Sequence, residues 1–227
     1  MKGLVRTLAA CALLSAFAVQ AEEILLGAGV RNRPVYDGSD RQTTDLIPVV
    51  RYYGAPWFAR TTQGILEGGA RIALAAGLDA GVQLAYEQGP RDGDPGTSFG
   101  AHLEWDAKLG PVPIDALIRL RQHLDADRGR QLDARLTAGL YEGGGLLAGV
   151  FAQATWASAR HMQEYYGVRE AGLLFTSLGV LGSYDLSRRW LAVASAEARR
   201  LSSDAARSAL VQDRSGFYAS AGLAYRF

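Results

Sequence analysis

The chain has 227 residues, with 24 basic and 23 acidic side chains, 27 glycines, 10 tyrosines and one cysteine. That composition excludes a collagen, a disulfide-stapled scaffold and a disordered chain, and the balanced charge leaves no basic field for nucleic acid. Beyond the N-terminal stretch no apolar run reaches the roughly 18 residues of a membrane-spanning helix, which excludes helical spans but not spanning by strands.

In chain order, Met1 to Ala21 combine Lys2 and Arg6, an apolar segment from Leu8 to Val19, and small or apolar residues in Val19-Gln20-Ala21. This is the pattern of a secretory signal peptide cut before Glu22, leaving residues 22–227 as one barrel domain. A lipoprotein signal is the rival, because Leu8-Ala9-Ala10-Cys11 has the right residue types, but Cys11 comes before the apolar segment ends. Cleavage removes the single cysteine, so no disulfide is expected.

From there the pattern has period two. Gly27-Ala28-Gly29 is followed by no helix and no lysine, so it reads as strand glycine with close backbone approach and not as a phosphate loop. Tyr36-Asp37-Gly38-Ser39-Asp40 lacks the spaced acids and final Glu of a calcium loop and reads as a turn. Tyr52, Tyr53, Trp57 and Phe58 flank the turn at Gly54-Ala55-Pro56; Trp57 to Thr62 and Gly64 to Leu74 then form two strands meeting near Gln63. Leu78, Ala80, Val82, Leu84 and Tyr86 alternate with Asp79, Gly81, Gln83 and Glu87, and Phe99, Ala101, Leu103, Trp105, Ala107 and Leu109 with His102, Glu104, Asp106 and Lys108. Ile114, Ala116, Ile118 and Leu120 oppose Asp115, Arg119 and Arg121, with Leu117 the exception. Leu132, Ala134, Leu136, Ala138 and Leu140 oppose Asp133, Arg135, Thr137, Gly139 and Tyr141. Between Trp190 and Leu201, Ala192, Ala194 and Ala196 line one face and Leu191 and Val193 the other, which leaves the orientation open. The last strand places Phe217, Ala219, Ala221, Leu223, Tyr225 and Phe227 together. One apolar and one polar face identify these segments as strands.

Long connections (Arg33 to Thr43, Gln88 to Ser98, Asp125 to Arg130, Ala157 to Gly172, Ser202 to Ser215) alternate with tight ones. Outer-membrane barrels have this asymmetry, with short periplasmic turns and longer external loops. The fold class is therefore all-β: a transmembrane, antiparallel, up-and-down β-barrel of about 12 strands, with 10 as the alternative, carrying exposed loops around Tyr36–Asp40, Gly93–Gly96, Tyr165–Val168 and Ser202–Ser215. Alternation alone also suits a soluble β-domain. Aromatics at strand ends (Tyr52, Tyr53, Trp57, Phe58, Tyr141, Tyr184, Trp190) and the closing Leu223, Tyr225 and terminal Phe227, which resemble a barrel-insertion signal, favour the membrane. Outer-membrane lipid, lipopolysaccharide and the barrel-assembly machinery are then implied partners.

The inward face carries Glu67, Arg71, Asp79, Glu87, Glu104, Asp106, Lys108, Asp115, Arg119, Arg121, Asp133 and Arg135. Mixed signs in a narrow lumen favour ion pairs across it, whereas a selective channel concentrates one sign at a constriction. His102 and Asp106 share a face about 13 Å apart, which suits a solvated lumen histidine. His123, His161, Ser158, Ser202 and Ser203 show no catalytic or metal-ligand spacing, so no catalytic residue, metal or cofactor is assigned.

Several segments together resemble the MipA/OmpV family, the MltA-interacting proteins of Gram-negative outer membranes. Gly27-Ala28-Gly29-Val30 and then Arg33-Pro34-Val35-Tyr36-Asp37-Gly38-Ser39-Asp40 are similar to the family's first strand and its loop, and Leu46-Ile47-Pro48-Val49 to its second strand. Trp156 with Met162-Gln163-Glu164-Tyr165-Tyr166-Gly167-Val168, and Asp213-Arg214 through Tyr225-Arg226-Phe227, resemble later segments. Tyr166 stands where Phe is usual, and the connection from Val168 to Leu178 is shorter than in many relatives. The resemblance implies a non-enzymatic scaffold that brings a murein lytic transglycosylase together with a bifunctional penicillin-binding protein. Very short periplasmic turns offer little area for such docking. A small passive pore is the alternative.

Overall fold

The computed structural model describes residues 24–87 and 96–227. The signal peptide and its cleavage site lie outside the described residues, as does the loop expected around Gly93–Gly96 except Gly96 itself. The strands are β1 (Leu25–Pro34), β2 (Gln42–Gly54), β3 (Trp57–Thr62), β4 (Ile65–Ala75), β5 (Leu78–Glu87), β6 (Gly96–Leu109), β7 (Val112–His123), β8 (Arg130–Gly143), β9 (Leu146–Ala157), β10 (Gly172–Asp185), β11 (Trp190–Leu201) and β12 (Ser215–Arg226), with one helix, α1 (Ala159–Tyr166).

Each strand pairs with the next, and β1 closes the ring against β12, giving a closed barrel of 12 strands. The count turns on β3 and β4. Gln63 (φ 51°) and Gly64 (φ 79°) both take positive φ, the conformation a two-residue hairpin turn demands, and Thr62 pairs with Ile65 across it. β3 is short, pairing with β2 only from Arg51 to Gly54. Among the described residues no strand covers the outer edge of Gln42–Val50, and Pro48 interrupts the donors of that stretch. The β3–β4 tip reaches across the bore, where Gln63 Nε2 donates to Glu197 Oε2 on β11 at 3.0 Å.

Outward residues form an apolar wall with two aromatic rings. Tyr86, Phe99, Trp156 and Phe217 are exposed near the long-loop end. Trp57, Tyr141, Tyr184, Trp190 and Phe227 are exposed near the short-turn end, where Trp190, Tyr225 and Phe227 stack edge to face at 5.3 and 4.9 Å. Two expectations are corrected here. Of the four aromatics around the β2–β3 turn, Phe58 points inward and Tyr53 stacks on it at 6.5 Å within the lumen, because successive strand residues face opposite ways. Tyr141 points outward beside Leu140 and not inward, since the register slips between Gly139 and Tyr141 and one extra residue inverts the alternation.

The orientation of β11 is resolved: Leu191 is buried inward, and Ala192 and Ala194 look outward. With Ala28, Val30, Tyr184 and Leu223 these small side chains line a shallow apolar groove of about 740 Å³ on the outer wall. At the β1–β12 seam the close approach is extreme. A Cβ on Gly27 would stand 1.9 Å from the Leu223 carbonyl oxygen.

Candidate functional site: a braced lumen under a loop cap

Period two carries the polar residues of β3 to β9 into the bore, and there they pair. Arg60 reaches Glu67 at 2.5 Å and Glu104 at 2.8 Å; Arg119 reaches Glu67 at 2.8 Å and Asp133 at 2.9 Å; Arg121 reaches Asp133 at 3.1 Å and Glu87 at 2.9 Å. Thr155 donates to the other oxygen of Asp133 at 2.8 Å. The Arg60–Glu104 and Arg119–Glu67 pairs each span three strands, so the network braces one half of the barrel internally. Buried charges survive at this density because each carboxylate of this network, Glu67, Glu87, Glu104 and Asp133, meets a guanidinium. Arg71 holds Asp79 at 3.1 Å, Asp106 lies opposite Asp115, and Lys108 is exposed near the β6–β7 turn.

The other half of the wall mixes small inward residues, Gly27, Gly29, Ser177, Gly179, Ser195, Ser220 and Gly222, with Leu181, Leu191 and the Glu197–Arg199 pair at 3.1 Å, and Ser195 and Ser220 are bonded at 2.8 Å. Two arginines stand apart from the pairing. Arg135 stacks on Phe151 at 4.2 Å and Arg51 on Tyr53 at 5.6 Å, and each keeps two buried nitrogens without a hydrogen-bond partner. The charge pattern gave no signal for this, because pairing partners are set by strand neighbours and not by composition.

The histidines are packed. His102 is not the solvated side chain expected: it lies edge-on to Phe58 at 5.3 Å, and its Nδ1 bonds the Gln83 amide oxygen at 2.6 Å. His161 Nδ1 donates to the Arg128 carbonyl at 2.8 Å, leaving Nε2 to accept from Gln131 at 3.1 Å. Ser158 is the N-cap of α1 and accepts from His161 N and Arg130 N. Both ring nitrogens and the hydroxyl are thereby committed to structure. Among the described residues no three metal-ligating groups converge.

Above the lumen the long loops meet. The loops at 35–41, 158–171 and 202–214 form a cap in which Met162, Tyr165 and Tyr166 of α1 pack against Leu174, Phe175, Leu201 and Ala205. Gly167 (φ 69°) ends the helix in the left-handed conformation. Arg33 reaches Asp45 at 2.6 Å and turns back onto the Pro34 and Val35 carbonyls, fixing the exit from β1. Asp37 then bends inward to Arg199 at 2.8 Å and accepts from the Tyr218 hydroxyl. Burial works to raise the Asp37 pKa, but the charge of Arg199 and the hydrogen bonds from Tyr218 and Arg199 outweigh it and hold the carboxyl below its usual range. The Gly38 carbonyl accepts from Gln212 and Asp213, Val168 N closes back on Met162 O, and Tyr166 donates its hydroxyl to the Asp37 carbonyl at 3.4 Å. The two sequence motifs, far apart in the chain, thus touch. This corrects the expectation of exposed loops at Tyr36–Asp40 and Tyr165–Val168, because Gly38, Ser39, Tyr165 and Tyr166 are buried, as is Met162, and only Asp40 of the first motif is exposed; Ser202–Ser215 is largely exposed as expected. Each loop carries apolar or aromatic groups that another loop covers, which no single segment reveals.

His161 couples this cap to pH. It stacks on His123 with centroids 6.0 Å apart, and burial first, with the His123 charge adding to it, pulls its pKa down to about 4. A base whose folded pKa lies below its unfolded value leaves the cap fully stable above about pH 6.5, and that stability declines as pH falls toward 4, by on the order of 3 kcal/mol for a complete change. Hydrogen exchange of α1 is expected to accelerate over this window, and the acceleration should vanish in His161→Phe.

A family model described as "MltA-interacting protein MipA" matches residues 26–227. The chain belongs to the MipA family. Both capping motifs fall within the MipA match, as does every strand except the first residue of β1. Among solved structures, this MipA-family barrel is similar to the NanC porin at 12% identity, covering 90% of this chain and 100% of that one with a TM-score of 0.56. An outer membrane channel from Pseudomonas putida F1 aligns at 10% identity over 94% of this chain and 98% of that one, TM-score 0.57. The translocator domain of the autotransporter NalP from Neisseria meningitidis aligns at 9% identity over 94% and 91%, TM-score 0.51. These likenesses concern the fold. No curated protein matches.

Proposed function

We propose that this chain is a non-enzymatic barrel of the outer membrane that holds a murein lytic transglycosylase of the MltA kind, together with a bifunctional penicillin-binding protein, at the membrane surface. The observation that carries the reading is the family match across residues 26–227. The geometry supports it: a lumen stiffened by chord-like ion pairs and a mouth covered by loops make a rigid body in which Ser158 and His161 are structurally committed. The apolar wall would face lipid and lipopolysaccharide, with export and insertion through the barrel-assembly machinery. Docking would use the short-turn rim, where Arg226 pairs with Asp185 at 2.9 Å and Arg189 donates to Tyr225 at 3.1 Å.

Cross-linked envelopes give the test. The detergent-folded barrel, purified beside an unrelated barrel, is expected to enrich a lytic transglycosylase with a penicillin-binding protein. Enrichment of assembly factors and lipopolysaccharide alone would end the scaffold reading. The small inward residues of β1 and β10 to β12, such as Gly29, Ser177, Gly179 and Gly222, favour a small passive pore as the second reading.

Leu223, Tyr225 and Phe227 are proposed as the insertion signal. Phe227 N donates to Ile24 O at 3.0 Å, so its backbone remains anchored when the ring is removed. Phe227→Ala is expected to reduce outer-membrane insertion severalfold in membrane fractions; undiminished insertion would remove that role from the ring.

A further inference from the structure

We propose that the tip of the β3–β4 hairpin, residues 61–65, is a gate: a strap that lies across the bore in this structure and swings back into the barrel wall to open a path beside the cap. The tip leaves the wall early. β2 runs beside β1 from Gln42 to Arg51, yet β3 pairs with β2 only between Arg51↔Arg60 and Gly54↔Trp57. Beyond Arg60 the hairpin turns inward, and Gln63 Nε2 donates at 3.0 Å to Glu197 Oε2 on β11, which stands four strands round the ring from β3. Arg31 of β1 packs so closely on Gly64 that a Cβ there would collide with its guanidinium. Both contacts adjoin the lock of the cap: Glu197 also accepts from Arg199, which holds Asp37, and Arg31 stacks on Tyr218 at 5.2 Å. The cap thus covers the mouth from the β11–β12 side, and the tip meets it from β3.

The register names the second position. The two-residue turn at Ala55-Pro56 makes Gly54 and Trp57 a hydrogen-bonded pair, and alternation then points the amide groups of Tyr52 and Val50 toward β3 as well. Tyr52 finds Ala59 there, but no described residue pairs with Val50 on that side. Two more rungs in the same register set Val50 against Thr61 and Val49 against Thr62, so the wall position adds ladder bonds that the bore position lacks. Thr61 and Thr62 now hold buried hydroxyls without partners, and groups left so are costly, which weighs against the bore position. The lumen network does not brace the tip. Its last members on this hairpin, Arg60 and Glu67, lie opposite each other and tie β3 and β4 to β6 and β7, and β4 is paired with β5 from Leu66 onward. The hinge therefore lies at this rung. The cap is the fixed half of the closure, since Met162 and Ala205 are fully buried within it.

The gate presupposes the pore reading and not the scaffold reading, and the test separates the two. It uses the detergent-folded full chain carrying Cys11→Ser, so that only introduced cysteines pair. Val49→Cys/Thr62→Cys, a non-hydrogen-bonded rung in the wall position and close enough there for a disulfide, is expected to oxidise and hold the tip in the wall. Gln63→Cys/Glu197→Cys holds it across the bore when bridged by a short, reducible bis-thiosulfonate, because the two long side chains it replaces span more than a disulfide reaches. The heat-dependent gel shift reports that each variant is folded. In planar bilayers the wall lock should conduct severalfold more than the bore lock, and dithiothreitol should bring the two to one level. Gln63→Gly, which removes the latch and suits the positive φ of the turn, should raise conductance severalfold above the parent without any cross-link. Equal conductance of the two locks, a folded Val49→Cys/Thr62→Cys barrel that does not oxidise, or an unchanged Gln63→Gly would each overturn the gate and leave the pore. No current from the wall lock would overturn gate and pore together and leave the scaffold reading standing.

Discussion

Replacing Asp133 with Ala is expected to destabilise the detergent-folded barrel more than any other single charge removal, by about 3–5 kcal/mol. Asp133 is 1% exposed and holds Arg119, Arg121 and Thr155 at once. Its loss leaves Arg119 with Glu67 alone and Arg121 with Glu87 alone, and an under-compensated buried charge is the costly species. Asp133→Asn should cost less, because it preserves a partner for Thr155. Asp204→Ala offers the contrast: its pair with Arg207 is largely exposed, 76% and 52%, so its loss should change the midpoint by no more than about 0.5 kcal/mol. The heat-dependent gel shift measures all three. Equal effects from Asp133 and Asp204 would mean that the network does not brace the barrel.

The second large effect is expected at the seam. A side chain on Gly27 would meet the Leu223 oxygen at 1.9 Å and Ala224 Cα at 2.6 Å, and both are backbone atoms of the partner strand that cannot rotate away. Overpacking usually costs about 1–3 kcal/mol, and here it acts on the ladder that closes the ring. Gly27→Val should therefore abolish most of the heat-modifiable form. Ala28→Val, one residue on but facing the outer groove, should be tolerated. A folded Gly27→Val barrel of normal stability would show that β1 and β12 need not approach so closely.

Much of this architecture was legible in the sequence, because lipid outside and charge inside impose an alternation that single residues report. Phe99 to Leu109 show their faces directly, and the parity of long and short connections required the break at Gln63 that makes β3 and β4 separate. Legibility ended where one residue changes a face or where partners come from distant strands. The slip beside Tyr141 inverts its side without altering the residue pattern around it. Tyr53 and Phe58 looked like interface aromatics, and only the register shows them beneath arginines. The site was less legible than the fold. Arg51 escaped notice because Val49 and Tyr53, which share its inward face, interrupt the polar alternation, and the isolation of Arg135 depends on which strand its neighbours occupy. The cap was hidden for a similar reason: Tyr36, Tyr165 and Tyr166 sit among turn residues, and their burial needs three loops at once.

The lock on Asp37 has a consequence for the order of assembly. Its two partners, Arg199 and Tyr218, lie 162 and 181 residues downstream, so closing these contacts demands nearly the whole chain. Contacts of such sequence separation are late by loop-closure entropy. While strands are still being added, the first loop has nothing to hold it, and it becomes fastened only when the last two strands stand beside the first. The fastened loop is therefore a certificate of completion. In limited proteolysis of refolding mixtures, an added protease is expected to cut unfinished barrels at this loop and to spare finished ones, a distinction that rests on the geometry of one carboxylate.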